Sequence, residues 1–144
     1  MRNLVNIKSR YLLIVPTLVL AVCAASAQTS SNKTNGAADR AWVSFWRQFT
    51  AAVNKKDRVT LRKMMADNFA DDSGGLNATE WLRFIDENER KGSWRDLQRS
   101  FARGTIVNKE WPGKGVPTRI TRDKFYYFEF RKDGKWYFAG VVGD

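Results

Sequence analysis

The stretch Phe125-Tyr126-Tyr127-Phe128-Glu129-Phe130-Arg131-Lys132-Asp133-Gly134-Lys135-Trp136-Tyr137-Phe138-Ala139-Gly140-Val141-Val142 decides the fold. Two aromatic, β-favouring runs flank Asp133-Gly134, a dipeptide suited to a hairpin turn. The pattern predicts strands over residues 125–131 and 136–142. Alternation puts Tyr126, Phe128 and Phe130 on one face of the first strand, and Trp136, Phe138 and Gly140 on one face of the second. The opposite faces carry Phe125, Tyr127 and Tyr137, so both sides of the hairpin are partly apolar. Such a sheet packs on helices with one side and lines a cavity or interface with the other.

Upstream of the hairpin, Arg119 to Thr121 reads as a strand. Pro112-Gly113-Lys114-Gly115-Val116-Pro117 reads as a loop. The stretch from Leu97 to Trp111 has no clear period, but Thr105, Ile106 and Val107 favour a strand. The first half of the chain is helical in pattern. Trp42, Phe45, Trp46, Phe49 and Val53 follow the i, i+3, i+4, i+7 rule, predicting a first helix over residues 39–53 with Asp39 as its N-cap. Asn54-Lys55-Lys56 breaks it, and Asp57 caps a second helix with Leu61, Met64 and Met65 as its buried stripe. That helix is expected to close at Phe69, before the turn Asp71-Asp72-Ser73-Gly74-Gly75. A third helix is expected from Asn77 or Thr79 to about Arg90, with Trp81, Leu82 and Ile85 inward.

The N-terminus has the three parts of a secretory signal. Arg2, Lys8 and Arg10 form a basic start, residues 11–25 are almost wholly apolar, and Ala25-Ser26-Ala27 offers the small residues of a cleavage site. Cleavage between Ala27 and Gln28 is expected, giving export to a periplasm or beyond the cell. A membrane anchor is the competing reading, but the run is shorter than the roughly 20 residues a span requires, and Pro16 interrupts it. Leu20-Ala21-Val22-Cys23 resembles a lipidation site, with Val22 a poor fit before the cysteine. Residues 28–38, rich in Ser, Thr, Asn, Gly and Ala, are expected to be a flexible linker. The domain is expected over residues 39–144, with no transmembrane span after processing.

Removing residues 1–27 leaves 117 of the 144 residues and takes away three of 25 basic residues, for a net charge of +7. All six Trp and all nine Phe stay in this part, enough for one core. Folding at this size hides about two-thirds of the chain's surface. Cys23 is the sole cysteine and histidine is absent. That excludes a disulfide in the processed domain, His-based triads and general bases, and the usual zinc and iron–sulfur ligand sets. No cofactor or metal is implied.

Three helices followed by an antiparallel sheet resemble the nuclear transport factor 2-like superfamily, which includes ketosteroid isomerase and polyketide cyclase-like proteins. The resemblance is carried by Phe45-Trp46-Arg47-Gln48-Phe49-Thr50-Ala51-Ala52-Val53-Asn54-Lys55-Lys56-Asp57, by the stretch from Leu61 to Phe69, and by the last hairpin. It spans about Ala41 to Val142. It implies an α+β fold in which three N-terminal helices pack on a strongly curved antiparallel sheet, a cone-shaped roll around a pocket. It also implies two candidate catalytic carboxylates, Asp71 and Asp72, where isomerase-like members carry their base. The isomerase's oxyanion-hole tyrosine falls near Phe49, which has no hydroxyl. Asp-Asp-Ser-Gly-Gly is more simply explained as an ordinary turn in water, because Asx turns account for its composition fully. Members of the superfamily often dimerise through outer sheet faces.

Phe49, Tyr127, Glu129 and Trp136 are the candidate ligand-binding residues. Glu129 and Tyr127 share a face and would form a polar pair in an apolar pocket, unless that face meets solvent and Glu129 only offsets Arg131. Lys55, Lys56, Arg58, Arg62 and Lys63 surround the start of the second helix with only Asp57 against them. They would suit an anionic partner, or form a solvated helix face. Export argues against nucleic acid. Trp42, Trp46 and Trp81 fall on core stripes, whereas Trp94 and Trp111 lie in less regular segments. Asn32-Lys33-Thr34 and Asn77-Ala78-Thr79 match the glycosylation acceptor pattern. The expected function is an exported domain binding a small apolar molecule or a protein partner. The alternatives are a cofactor-independent isomerase, cyclase or hydratase using Asp72, and a homodimerisation module.

Overall fold

The structure, a computed structural model, describes residues 22–72, 74–108 and 116–142, with side chains from residue 36 onward. The chain divides into two compact units, Met1–Asn32 and Lys33–Asp144. The expected signal segment, its cleavage pair Ala27 and Gln28, Cys23 and Asn32 lie outside the residues whose side chains are described. So do Ser73, Trp111 and most of the expected 112–117 loop. No helix among the described residues is long and apolar enough to cross a membrane.

The elements run α1 (Val22–Asn54), α2 (Arg58–Met64), β1 (Met65–Asp71), α3 (Ala78–Glu87), α4 (Ser93–Ala102), β2 (Thr105–Val107), β3 (Thr118–Thr121), β4 (Tyr126–Phe130) and β5 (Trp136–Val141). This is an α+β arrangement of helices followed by one five-strand mixed sheet of order β1-β5-β4-β3-β2. Three elements differ from the sequence expectation. Helix α1 does not start at Asp39, because its backbone is already helical from Val22 through residues 28–38, the stretch expected as a linker. Its alanines favour that conformation. Ala38 is also tied to the sheet, since its carbonyl accepts from the Trp136 indole N–H at 2.8 Å.

The second helix stops at Met64, and the segment expected to finish it is strand β1. β1 runs parallel to β5, with Met65 opposite Phe138 and Ala70 opposite Gly140. Ladder pairing with a strand far along the chain overrides the local helical preference of Met-Met-Ala. The third difference is α4, within a stretch that shows no clear period. Trp94, Leu97 and Phe101 make its buried stripe. Among the described residues there are thus four α-helices and a single 3-10 turn at Glu89–Lys91, and β1 makes the sheet mixed rather than wholly antiparallel. The sheet is also not strongly curled. Its strands are three to seven residues long, too short for strand twist to accumulate into a cone.

The hairpin forms as its sequence predicts, with Gly134 at φ +77° and the Asp133 carboxylate accepting from the Lys135 amide at 3.1 Å. One detail is corrected. The β4–β5 register passes from Phe128 opposite Phe138 to Tyr127 opposite Gly140, so Ala139 is an extra residue on β5. A bulge of this kind reverses alternation. Val141, not Gly140, therefore joins Trp136 and Phe138 in the main core.

That core lies between the helices and one face of the sheet. Phe49 sits at its centre, with ring centroids 5.0 Å from Phe101, 5.2 Å from Phe128 and 5.5 Å from Phe138, all edge-on. Trp42 meets Trp136 edge-on at 4.8 Å. Each such pair contributes about 0.5–1.5 kcal/mol beyond burial alone. Ala66, Ile120, Tyr127 and Ala139 form a second, smaller cluster.

Candidate functional site

Among the described residues, the interior between helices and sheet is filled. Phe49, Leu61, Met65, Trp81, Phe101 and Phe138 close on one another around a void of about 170 Å³ in total, in which no water molecule fits. Two expected ligand residues belong to this filled side. Phe49 is 1% exposed, and Trp136 is buried with its indole N–H spent on Ala38. The other two, Tyr127 and Glu129, do not meet them. Tyr127 lies in the second cluster, where burial and then the Glu129 carboxylate push its phenol up to about 12. Glu129 stands 3.7 Å from Arg131, whose guanidinium lies over Tyr137 and also bonds Asn68. Phe49 and Trp136 therefore lie in the main core and Tyr127 in the smaller cluster, with Glu129 beside Arg131.

The carboxylate pair is also divided. Asp71, at the end of β1, is buried, and its carbonyl accepts from the Gly75 amide at 2.7 Å to close the turn. The Asp72 amide donates to Val141 at 3.1 Å, and its side chain is exposed. Near Asp71 stands Tyr126, whose phenol is pushed up to about 12 by burial and then by the carboxylates Asp123, Asp96 and Asp71.

Open space is found instead on the surface between α2 and α3. Both helices are fixed there by their N-caps. Asp57 accepts from the Thr60 amide at 3.0 Å and its hydroxyl at 2.6 Å, which hold the Asp57 carboxyl below its usual range. Asn77 accepts from the amides of Thr79 and Glu80, both at 3.0 Å, while Glu80 accepts from the Asn77 amide at 3.0 Å, a closed capping box. Asp86 joins three helices, pairing with Arg58 of α2 and accepting from the Trp94 indole of α4 at 2.9 Å.

Between these anchors lies a groove of about 520 Å³. Among the described residues, Arg58, Val59, Arg62 and Lys63 of α2 face Leu82 and Arg83 of α3 across it. Thr79 completes the wall and accepts from Arg62 Nε at 3.3 Å. Leu82 and Val59 make its apolar surface, extended by the methylene stems of the long basic side chains. Four cations stand around it. Arg58 pairs with Asp86, and Arg83 is 3.7 Å from Glu87. No carboxylate among the described residues pairs with Arg62 or Lys63.

Sequence reasoning found the basic cluster but not the groove, because half of its lining comes from a helix about twenty residues further on. The available signal was Val59, an apolar residue set inside a basic run and off the Leu61 stripe. It is 68% exposed. No protein-family model matches the chain, and no curated protein matches its sequence.

Proposed function

We propose that this is an exported, non-catalytic binding domain of the nuclear transport factor 2-like type, and that its apolar ligand sits in the α2–α3 groove rather than inside a cone. The observation that carries this reading is the contrast between a sealed aromatic interior and an open groove of about 520 Å³. That volume lies within the roughly 300–1,000 Å³ of small-molecule sites. The helix order and the aromatic hairpin support the superfamily assignment. The exposed Asp72 offers no support for an isomerase, cyclase or hydratase.

The test is binding of a neutral fluorescent apolar probe, N-phenyl-1-naphthylamine, to the purified protein and to Val59→Asn. Val59 is exposed, so the variant should fold, which far-UV circular dichroism would verify. Replacing an apolar contact in the groove should weaken the probe by about tenfold or more. Equal affinity for both proteins would remove the groove from consideration.

A further inference from the structure

We infer that the groove ligand is a free single-chain anionic amphiphile, with a carboxylate head on Arg62 and Lys63 and an alkyl tail along Val59 and Leu82. This rests on the groove being the binding site. The lining of one concavity joins two chemistries that one molecule must satisfy together. Its apolar surface offers no hydrogen bonds to a polar ligand. Its rim has four cations and no lining carboxylate. A neutral apolar ligand would leave Arg62 and Lys63 unused, and a simple anion would leave Val59 and Leu82 unused.

The head is assigned to Arg62 and Lys63 by elimination within the rim. Arg58 is engaged by Asp86, and Arg83 has Glu87 within 3.7 Å. The Arg62 Nε bond to Thr79 orients the guanidinium along the groove wall while leaving its two terminal nitrogens as donors. That is a fork suited to a carboxylate. The net charge, +10 for the full chain and +7 without residues 1–27, draws anions toward it. A free amphiphile is preferred to a membrane surface because the apolar residues line a concavity, where a single chain can lie. Leu82, only 5% exposed at its floor, could not reach into a bilayer.

The experiment is calorimetric titration of the protein with laurate, monolaurin and dodecyltrimethylammonium, each below its micelle concentration, at low and high salt. Laurate should bind about tenfold more tightly than monolaurin, the scale of a charge-assisted hydrogen bond, and the cationic amphiphile more weakly than either. Added salt should narrow the gap. In the double variant Arg62→Gln, Lys63→Gln, which removes both charges and shortens the stems only in part, laurate should lose far more affinity than monolaurin and approach it. Lys63 is exposed and Arg62 half-buried, so far-UV circular dichroism of the variant separates head recognition from folding. Equal affinity of the wild type for laurate and monolaurin would overturn the anionic head and leave the apolar groove standing. Loss of laurate and monolaurin alike in the double variant would overturn the head assignment. Absence of binding by all three would overturn the groove reading as well. Binding to phosphatidylglycerol vesicles without binding to laurate would replace the free amphiphile with a membrane surface.

Discussion

At the scale of single residues, two positions explain how the sheet and helices interlock. Asp123, in the β3–β4 turn, is pushed up by burial, but the hydroxyls of Ser100 and Thr121 prevail and hold it below its usual range. It accepts from Ser100 of α4 and from Thr121 of β3, tying a helix to a strand. Gly140 is constrained by space alone. A Cβ there would stand 2.2 Å from the Ala70 carbonyl oxygen and 2.5 Å from the Tyr127 ring. The first of these atoms is backbone in a neighbouring strand and cannot move aside cheaply. Gly140→Ala should therefore destabilise the fold by about 1–3 kcal/mol, the usual cost of overpacking, read as a lower urea midpoint. An unchanged midpoint would mean that β1 and β5 do not approach so closely.

At the scale of elements, what was legible in the sequence is what is local. Asp57 and Asn77 signal the starts of α2 and α3 by cap chemistry a few residues long, and Asp133-Gly134 signals the hairpin in the same way. Strand β1 was not legible, because its partner β5 lies about seventy residues away and its own Met-Met-Ala start reads as helix. The bulge at Ala139 was hidden too, since alternation is read without knowing the partner's register. The groove was half legible. Its cations form a run in α2, but Leu82 was read only as core, and Arg83 becomes part of a rim only when α3 packs on α2. Because α3 forms that wall, its cap bears on the site. Asn77→Ala should cost about 1 kcal/mol, measured by thermal unfolding, while Asn77→Asp should retain most of the stability. Equal losses in the two variants would show that the Asn77 oxygen does not cap α3.

At the scale of the whole molecule, capping and turn carboxylates and two buried phenols set how stability follows pH. The chain has no histidine, so no side chain of ordinary pKa changes charge between about pH 5 and 8. Asp57, Asp123 and Asp133 are all held below their usual range in the fold. Their stabilisation is therefore present above the unfolded carboxylate value of 3.8 and is lost as pH falls through their lower folded values. Tyr126 and Tyr127 act at the other end. Burial raises both phenols from 10.0 to about 12, so their contribution is complete below pH 10.0 and is lost as pH rises toward 12. Urea midpoints should therefore form a plateau from about pH 5 to 9 and fall on both sides. Ultraviolet absorbance should show the two buried phenols ionising only with the alkaline loss of structure. A step in stability between pH 6 and 7 would contradict the acid–base inventory. Ionisation of every tyrosine together near pH 10, with the fold intact, would mean that Tyr126 at the edge of the main core and Tyr127 in the smaller cluster are both solvated.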